Sequence, residues 1–299
     1  MTNLSQKTGK IFLLFSVTAL FLVSCTESVA PIYKGTSVRI VEPKTVVDLE
    51  DAFYRYNYDI GQLHAGVPPL IFKSLPIELS ESRFSARKKS LFFQALLPMV
   101  LLANKEIAEE RSELLKLIDI IKNHQELGAQ QIHRLSTLQH RYSVSGKPTT
   151  MKTLTRLQRR IDQVPAELTL AQAANESAWG TSRFSQLGNN LFGEWTFTPG
   201  AGIIPEGRPE GAIYEVRRFK TLYDSIRSYL LNLNTHSAYA DFREIRTEAR
   251  KHGETLRGVA LAEGLTNYST RREAYVIELQ NLIRQNNLQR FSQVSLRQG

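Results

Sequence analysis

The stretch from Leu91 to Ala103, LFFQALLPMVLLA, carries no charge and is apolar nearly all round. A helix without a polar face has to be wrapped by other elements, and this run is shorter than the roughly 18 to 20 residues that a membrane span needs. The chain is therefore expected to pack around a buried helix here. That helix belongs to a long helical segment from Ser85 to Glu126, in which Ile107, Leu114, Leu115, Ile118 and Ile121 continue the apolar spacing. Pro98 is expected to kink or divide it, because proline lacks the N–H donor and its ring presses on the preceding turn. With 299 residues and 42% apolar content, there is enough chain for one or two packed domains.

Around this segment the sequence changes character several times. Residues 25–80 are broken by Pro31, Pro43, Pro68, Pro69 and Pro76, and read as a tether and wrapping segment with one short helix around Val47 to Leu63. Residues 81–145 read as a helical N-terminal region whose second helix runs from Gln130 to Tyr142. Glu106, Glu109, Glu110 and Glu113 lie beside Lys105 and Arg111 and read as a solvated face. His133 and His140 share a face, but zinc takes three or four ligands and no cysteine or HExxH pattern joins them, so no metal is expected. No cofactor is expected either. The loop from Ser143 to Thr150, with Gly146 and Pro148, is the boundary before a second unit at 151–290.

The first residues set an expected compartment. Lys7 and Lys10 precede an uncharged apolar run from Ile11 to Val23, a pattern of export signals. The run ends Leu22, Val23, Ser24, Cys25, which resembles the bacterial lipoprotein box, where the thiol is alkylated by diacylglycerol and becomes the new N-terminus. Residues 1–24 are then the signal peptide and Cys25, the only cysteine, the lipidated residue. Thr26 is not the aspartate that the resemblance associates with inner-membrane retention, so an outer-membrane anchor facing the periplasm is expected. Without the signal the formal charge falls from +9 to +7, which suits an anionic polymer such as peptidoglycan and also phosphate-bearing polymers, although charge speaks to association and not to chemistry. Export disfavours nucleic acid as a partner.

The chemistry is expected in PAELTLAQAANESAWGTSRFSQLGNNLFGEW, which begins at Pro165. Pro165 suits the first turn of a helix, Leu168, Ala171, Ala174 and Ala178 recur at near-helical spacing, and Gly180 is placed to end it. The alanines let other helices approach closely and leave Glu176 near the C-terminal end. There the helix dipole disfavours the ionised carboxylate, and apolar cover from Trp179 or Phe184 acts the same way. A general acid at neutral pH needs such a raised pKa. Spacing alone leaves Glu176 equally readable as an ordinary surface glutamate.

AQAANESAWG followed by NNLFG resembles the paired motifs of bacterial cell-wall beta-N-acetylglucosaminidases, over roughly residues 151 to 290. The segment LFFQALLPMVLLANKEIAEER is similar to the N-terminal extension of the Bax-type members. The resemblance implies a mainly α, lysozyme-like α+β fold: a helical lobe carrying Glu176 and a small β lobe closing a groove for a sugar chain. It implies that Glu176 protonates the glycosidic oxygen and that Tyr268, in a polar loop before a Thr270–Glu273 capping box, lines the groove. Asn189 and Asn190 open the β lobe, with a structural role weighed above substrate contact. Trp179 is a weaker contact candidate.

Gly200, Gly202, Gly207 and Gly211 supply turns for the β lobe between Glu194 and Arg217, and Ile213, Tyr214 and Val216 suit a strand. A second carboxylate is expected there. Glu206, Glu210 and Glu215 are the candidates, and the resemblance matches most nearly the region of Glu206, where this loop departs from the family pattern. Alternatively the substrate's acetamido group assists and no second carboxylate is needed. Thr221 and Asp224 form a capping box for a helix with Leu222, Ile226, Tyr229, Leu230 and Leu233, and Tyr239, Phe242 and Ile245 mark the next as core. Three functions stay open at this point: a glucosaminidase, a muramidase or lytic transglycosylase on the same fold, and a non-catalytic wall-binding module.

Overall fold

The computed structural model describes residues 37–81 and 86–297. Cys25 and the signal segment lie outside the described residues. The chain opens with β1 (Arg39–Val41), α1 (Val46–Arg55), β2 (Leu70–Phe72) and α2 (Glu78–Glu81), then α3 (Ala86–Lys122) and α4 (Ala129–Arg141). It continues with α5 (Met151–Arg160), α6 (Ala166–Glu176), α7 (Arg183–Gly188), β3 (Trp195–Thr196), β4 (Gly202–Ile203) and β5 (Glu215–Arg217). Helices α8 (Leu222–Thr235), α9 (Ala240–Lys251), α10 (Gly258–Leu261) and α11 (Glu273–Gln285) complete it, with 3-10 turns at Ser237–Tyr239, Ala262–Leu265 and Leu288–Phe291. The fold is mainly α, with a three-stranded antiparallel β lobe of order β3-β5-β4. Trp195 pairs with Val216, and Gly202 with Arg217.

The long apolar helix is the axis of the molecule. By length and composition α3 would pass for a membrane span, yet most of its apolar window is buried inside the protein. Leu96, Leu97, Met99 and Val100 are fully enclosed, and α3 packs on α5, α6, α8 and β2. Pro98 does not divide it. The helix runs unbroken from Ala86 to Lys122, because tertiary packing on every side outweighs the one lost backbone bond.

Its acidic run differs from the expected solvated face. Glu110 is 7% exposed and accepts hydrogen bonds from Arg141 at 2.7 Å and Tyr142 at 2.6 Å, which anchors α4. Glu106 accepts from Tyr223 Oη at 2.8 Å and Arg227 Nε at 2.9 Å, both on α8. Only Glu109 and Glu113 of the four remain largely in solvent. Asn104 exchanges two hydrogen bonds with the backbone of Val164, at 2.8 and 3.0 Å, fixing the entry to α6.

Residues 37–81, expected as tether and wrapping, form ordered elements against this core. A capping box at Thr45 and Asp48 starts α1, β1 and β2 pair in parallel, and Leu49, Phe53 and Phe72 are buried. The C-terminal segment returns to this region: Val67 donates to Ser295 O and accepts from Arg297 N. One continuous apolar core runs from Leu49 to Phe291, so the loop at 143–150 separates elements and not cores.

Candidate active site

Helix α6 is buried along its whole length from Ala166 to Ala174, and its alanines permit the close approach of α3 and α11. It stops at Glu176. Ser177 ends it by donating from Oγ to Ala173 O at 2.6 Å and accepting from Gly180 N at 2.7 Å. Three successive residues then take positive φ: Ala178, Trp179 and Gly180. Two of these are not glycine, a run that surrounding structure must enforce. At Gly180 a side chain would be strained by its φ of 77° and would force Leu75 to move, since a Cβ would lie 2.4 Å from Leu75 Cδ1.

This left-handed turn redirects Trp179. Its ring packs edge-on to Phe92 and Phe93 of α3, with centroids 5.9 and 5.2 Å away, under Lys89, and it is 8% exposed. Trp179 is thus placed in the joint with α3, and the cover over Glu176 comes from tyrosines instead.

Those tyrosines form a hydrogen-bonded relay and a ring stack. Tyr229 Oη donates to Gln172 Oε1, Gln172 Nε2 donates to Tyr275 Oη at 2.9 Å, and Tyr275 Oη donates to Glu176 Oε1 at 2.8 Å. Asn175 adds a donor at 3.2 Å. Burial pushes the Glu176 carboxyl above the usual carboxylate range, against the lowering by Tyr275 and Asn175. Tyr268 stacks on Tyr275 at 5.4 Å with rings parallel within 3°, and Tyr239 lies 5.7 Å from Tyr268. Burial first, and the Glu176 charge second, hold the Tyr268 phenol well above its ordinary pKa, so it stays a neutral donor. Its hydroxyl reaches Phe192 O at 3.4 Å, and Phe192 stacks on Tyr229 at 3.9 Å. Tyr268 therefore stands half-buried beside Glu176. The capping box expected behind it is replaced by Arg272, whose φ of 50° starts α11 without a side-chain cap.

The NNLFG segment is scaffolding in this structure. Asn189 takes the left-handed C-cap of α7 and donates to Phe219 O at 3.1 Å. Asn190, 2% exposed, donates to Glu194 O and Arg217 O and accepts from Glu194 N and Phe192 N. Leu191 N bonds Ser225 on α8. Gly193 has φ of 70° in open space, so its requirement is backbone conformation alone.

The acids proposed for the β lobe fall into different surroundings. Glu206 has an 87% exposed side chain and lies 3.6 Å from Arg183, and Glu210 is exposed. Glu215 is buried, but its two oxygens accept from Gly200 N at 2.9 Å and Gly202 N at 2.7 Å, stapling the hairpin and holding its pKa low. None of the three is brought to the tyrosine row by the contacts it makes. Glu194, immediately after the motif, is the acid that sequence reading passed over. Ser228 donates to its Oε2 at 2.6 Å, and Arg217 lies 3.8 Å away. Its burial depends on α8 and the turn at Tyr239, which local sequence does not reveal. A cleft of about 910 Å³ opens at the opposite end of α6, lined by Pro165, Ala166, Arg250 and Arg297, and contains none of these groups.

Residues 151–288 match the family model described as mannosyl-glycoprotein endo-beta-N-acetylglucosaminidase. The chain is also 30% identical over 204 residues to Protein bax of Escherichia coli strain K12, covering 68% of this chain and 70% of that protein. The chain belongs to the glucosaminidase family, Bax type. No solved structure matches it significantly. Membership accounts for the helical lobe with its small β lobe, and places Glu176, Tyr268 and Glu194 all within the matched span.

Proposed function

We propose that this chain is a peptidoglycan hydrolase that cleaves the β-1,4 bond after N-acetylglucosamine, with Glu176 as general acid. The observation that carries the reading is the environment of Glu176: a carboxyl at a helix C-terminus, desolvated to a raised pKa, aimed by Tyr275 and covered by tyrosine rings. A carboxyl with a raised pKa keeps its proton to higher pH than an ordinary glutamate and can donate it to a leaving glycosidic oxygen. Tyr268, a neutral phenol stacked on Tyr275, supports the reading as a donor for charge that develops on the sugar. The export pattern and Cys25 support action on the periplasmic side of the outer membrane, lipid-anchored.

Digestion of purified peptidoglycan by the full chain, followed by borohydride reduction, tests the reading. New glucosaminitol ends are expected, and they should vanish with Glu176→Gln while the thermal melt is kept. Muramitol or anhydro-muramic ends alone would transfer the chemistry to the other linkage. Wall binding without turnover, unchanged in Glu176→Gln, would make the domain a binding module.

A further inference from the structure

Between Glu194 and Arg217 the β lobe carries four acidic side chains, and three of them are accounted for: two by solvent and one by the hairpin it staples. Glu194 differs from all of these. Its backbone is held on both sides, with N accepted by Asn190 Oδ1 at 3.0 Å, and O accepting from Asn190 Nδ2 at 2.8 Å and Arg217 N at 2.9 Å. Its side chain is 14% exposed. Oε2 is fixed by Ser228, while Oε1 is buried with no hydrogen-bond partner. A buried acceptor left unpaired has lost its hydration without replacement, so such a group calls for a role.

The tyrosines connect it to Glu176. Tyr268 Oη bonds Phe192 O, two residues before Glu194, and Ser228, which holds Glu194, precedes Tyr229, whose Oη opens the relay to Glu176; Tyr239 and Tyr268 both feel both carboxyl charges. The two carboxyls thus act on one row of rings whose successive centroids are 5.7 and 5.4 Å apart. In glycosidases a second carboxyl that activates water stands roughly 6.5–9.5 Å from the acid, whereas one that bonds the sugar stands at ~5 Å.

We propose that Glu194 is the second carboxyl group of the reaction and serves as its general base. This rests on the glycosidase reading of Glu176. Water oxygen bonds to the anomeric carbon and its proton passes to Glu194. The bond from the anomeric carbon to the glycosidic oxygen breaks, its electron pair leaves on that oxygen, and the oxygen takes the proton of Glu176. The product is released with inverted configuration. Burial pushes the Glu194 carboxyl up to about 7, against the lowering by Ser228 and Arg217. The charged and titratable groups facing it are Arg217 from β5, Tyr239 from the turn after α8, and Tyr268 from the loop before α11.

The test uses the full chain on soluble glycan strands. Glu194→Gln is expected to lower kcat by at least a hundredfold with KM little changed, and to abolish the rise of kcat/KM with pH on the acid side. Glu194→Ala should be rescued by sodium azide, yielding a glycosyl azide, an outcome that a merely structural role would not produce. Proton NMR of early wild-type product should show the α anomer. Turnover within threefold of wild type in Glu194→Gln, or a first-formed β anomer, overturns the proposal while leaving Glu176 in place. If Glu194→Gln fails to fold, azide rescue of Glu194→Ala and the anomer assay decide. A wild-type chain without turnover overturns both readings together.

Discussion

The two ends of α6 bury carboxyl groups in opposite ways. Just before the helix, Asp162 is 2% exposed and faces Arg250 at 2.8 Å, Arg111 at 3.5 Å and Arg246 at 3.9 Å. Burial alone would raise its pKa, but the arginines reverse the sign and hold it below the ordinary aspartate value. Just at the helix end, Glu176 has neutral hydroxyl and amide partners, and its pKa is raised. The magnitudes explain the split. A unit charge at about 4 Å is worth roughly 4 kcal/mol at an effective dielectric of 20, whereas a neutral hydrogen bond contributes about 1 kcal/mol net. Three cations overcome desolvation and two neutral donors do not. One end is a clamp and the other is chemistry, and the choice of partner makes the difference.

The comparison breaks most visibly at the chemical end. Glu176→Gln should cut peptidoglycan turnover by about 10²–10⁴-fold, the usual worth of a general acid, without a change in melting temperature. At the clamp, Asp162→Ala leaves Arg246 buried and uncompensated and should destabilise the fold by about 3–5 kcal/mol in urea unfolding, with soluble protein retaining activity per folded molecule. Equal effects of the two changes on stability would erase the distinction.

Stability against pH sharpens it further. Asp162 has a lowered folded pKa, so its contribution is present above the unfolded value of 3.8 and is lost as pH falls through the folded pKa. Glu194 has a raised one, so stability is highest below 4.5 and declines as pH rises towards about 7. Glu194→Gln should flatten that decline, and urea midpoints at pH 4.5 and 7.5 would show it. An unchanged slope would remove Glu194 from the raised-pKa group. Tyr275→Phe is a smaller perturbation: it deletes the donor that lowers the Glu176 pKa and leaves Gln172 short of a partner. It should destabilise by about 1–2 kcal/mol and move the alkaline limb of kcat/KM to higher pH. Glu206→Gln should change stability by less than about 0.5 kcal/mol, as at other exposed surface positions, and turnover by under threefold.

What the sequence disclosed and what it hid follow from the range of the forces involved. Pro165 and the alanines are local determinants, and they marked α6 and the position of Glu176 on it, although the helix ends at Glu176 and not, as expected, beyond Ala178 at Gly180. The Thr221–Asp224 capping box is equally local and starts α8 as expected. Tertiary effects escaped. Nothing near Trp179 announces a left-handed turn that swings it onto α3, and nothing near Glu194 announces Ser228 and Tyr239, which approach it from 34 and 45 residues away. The acidic run on α3 read as solvated because its partners, Arg141, Tyr223 and Arg227, lie on other helices. Thr270 and Glu273 have the right spacing for a cap, but the chain enters α11 through Arg272 in a conformation that no spacing rule anticipates.

Glu106 grips α8 from the other half of the chain, and α8 carries both Ser228 and Tyr229. The glucosaminidase family model starts at residue 151, whereas the 204 residues shared with Protein bax reach back before it and the apolar core that closes over α6 starts at Leu49. The family domain and the folded body therefore have different boundaries. A gene cassette trimmed to the recognisable segment would travel without the helix that seals it, so the smallest part fit for transplantation into another protein is the whole folded body.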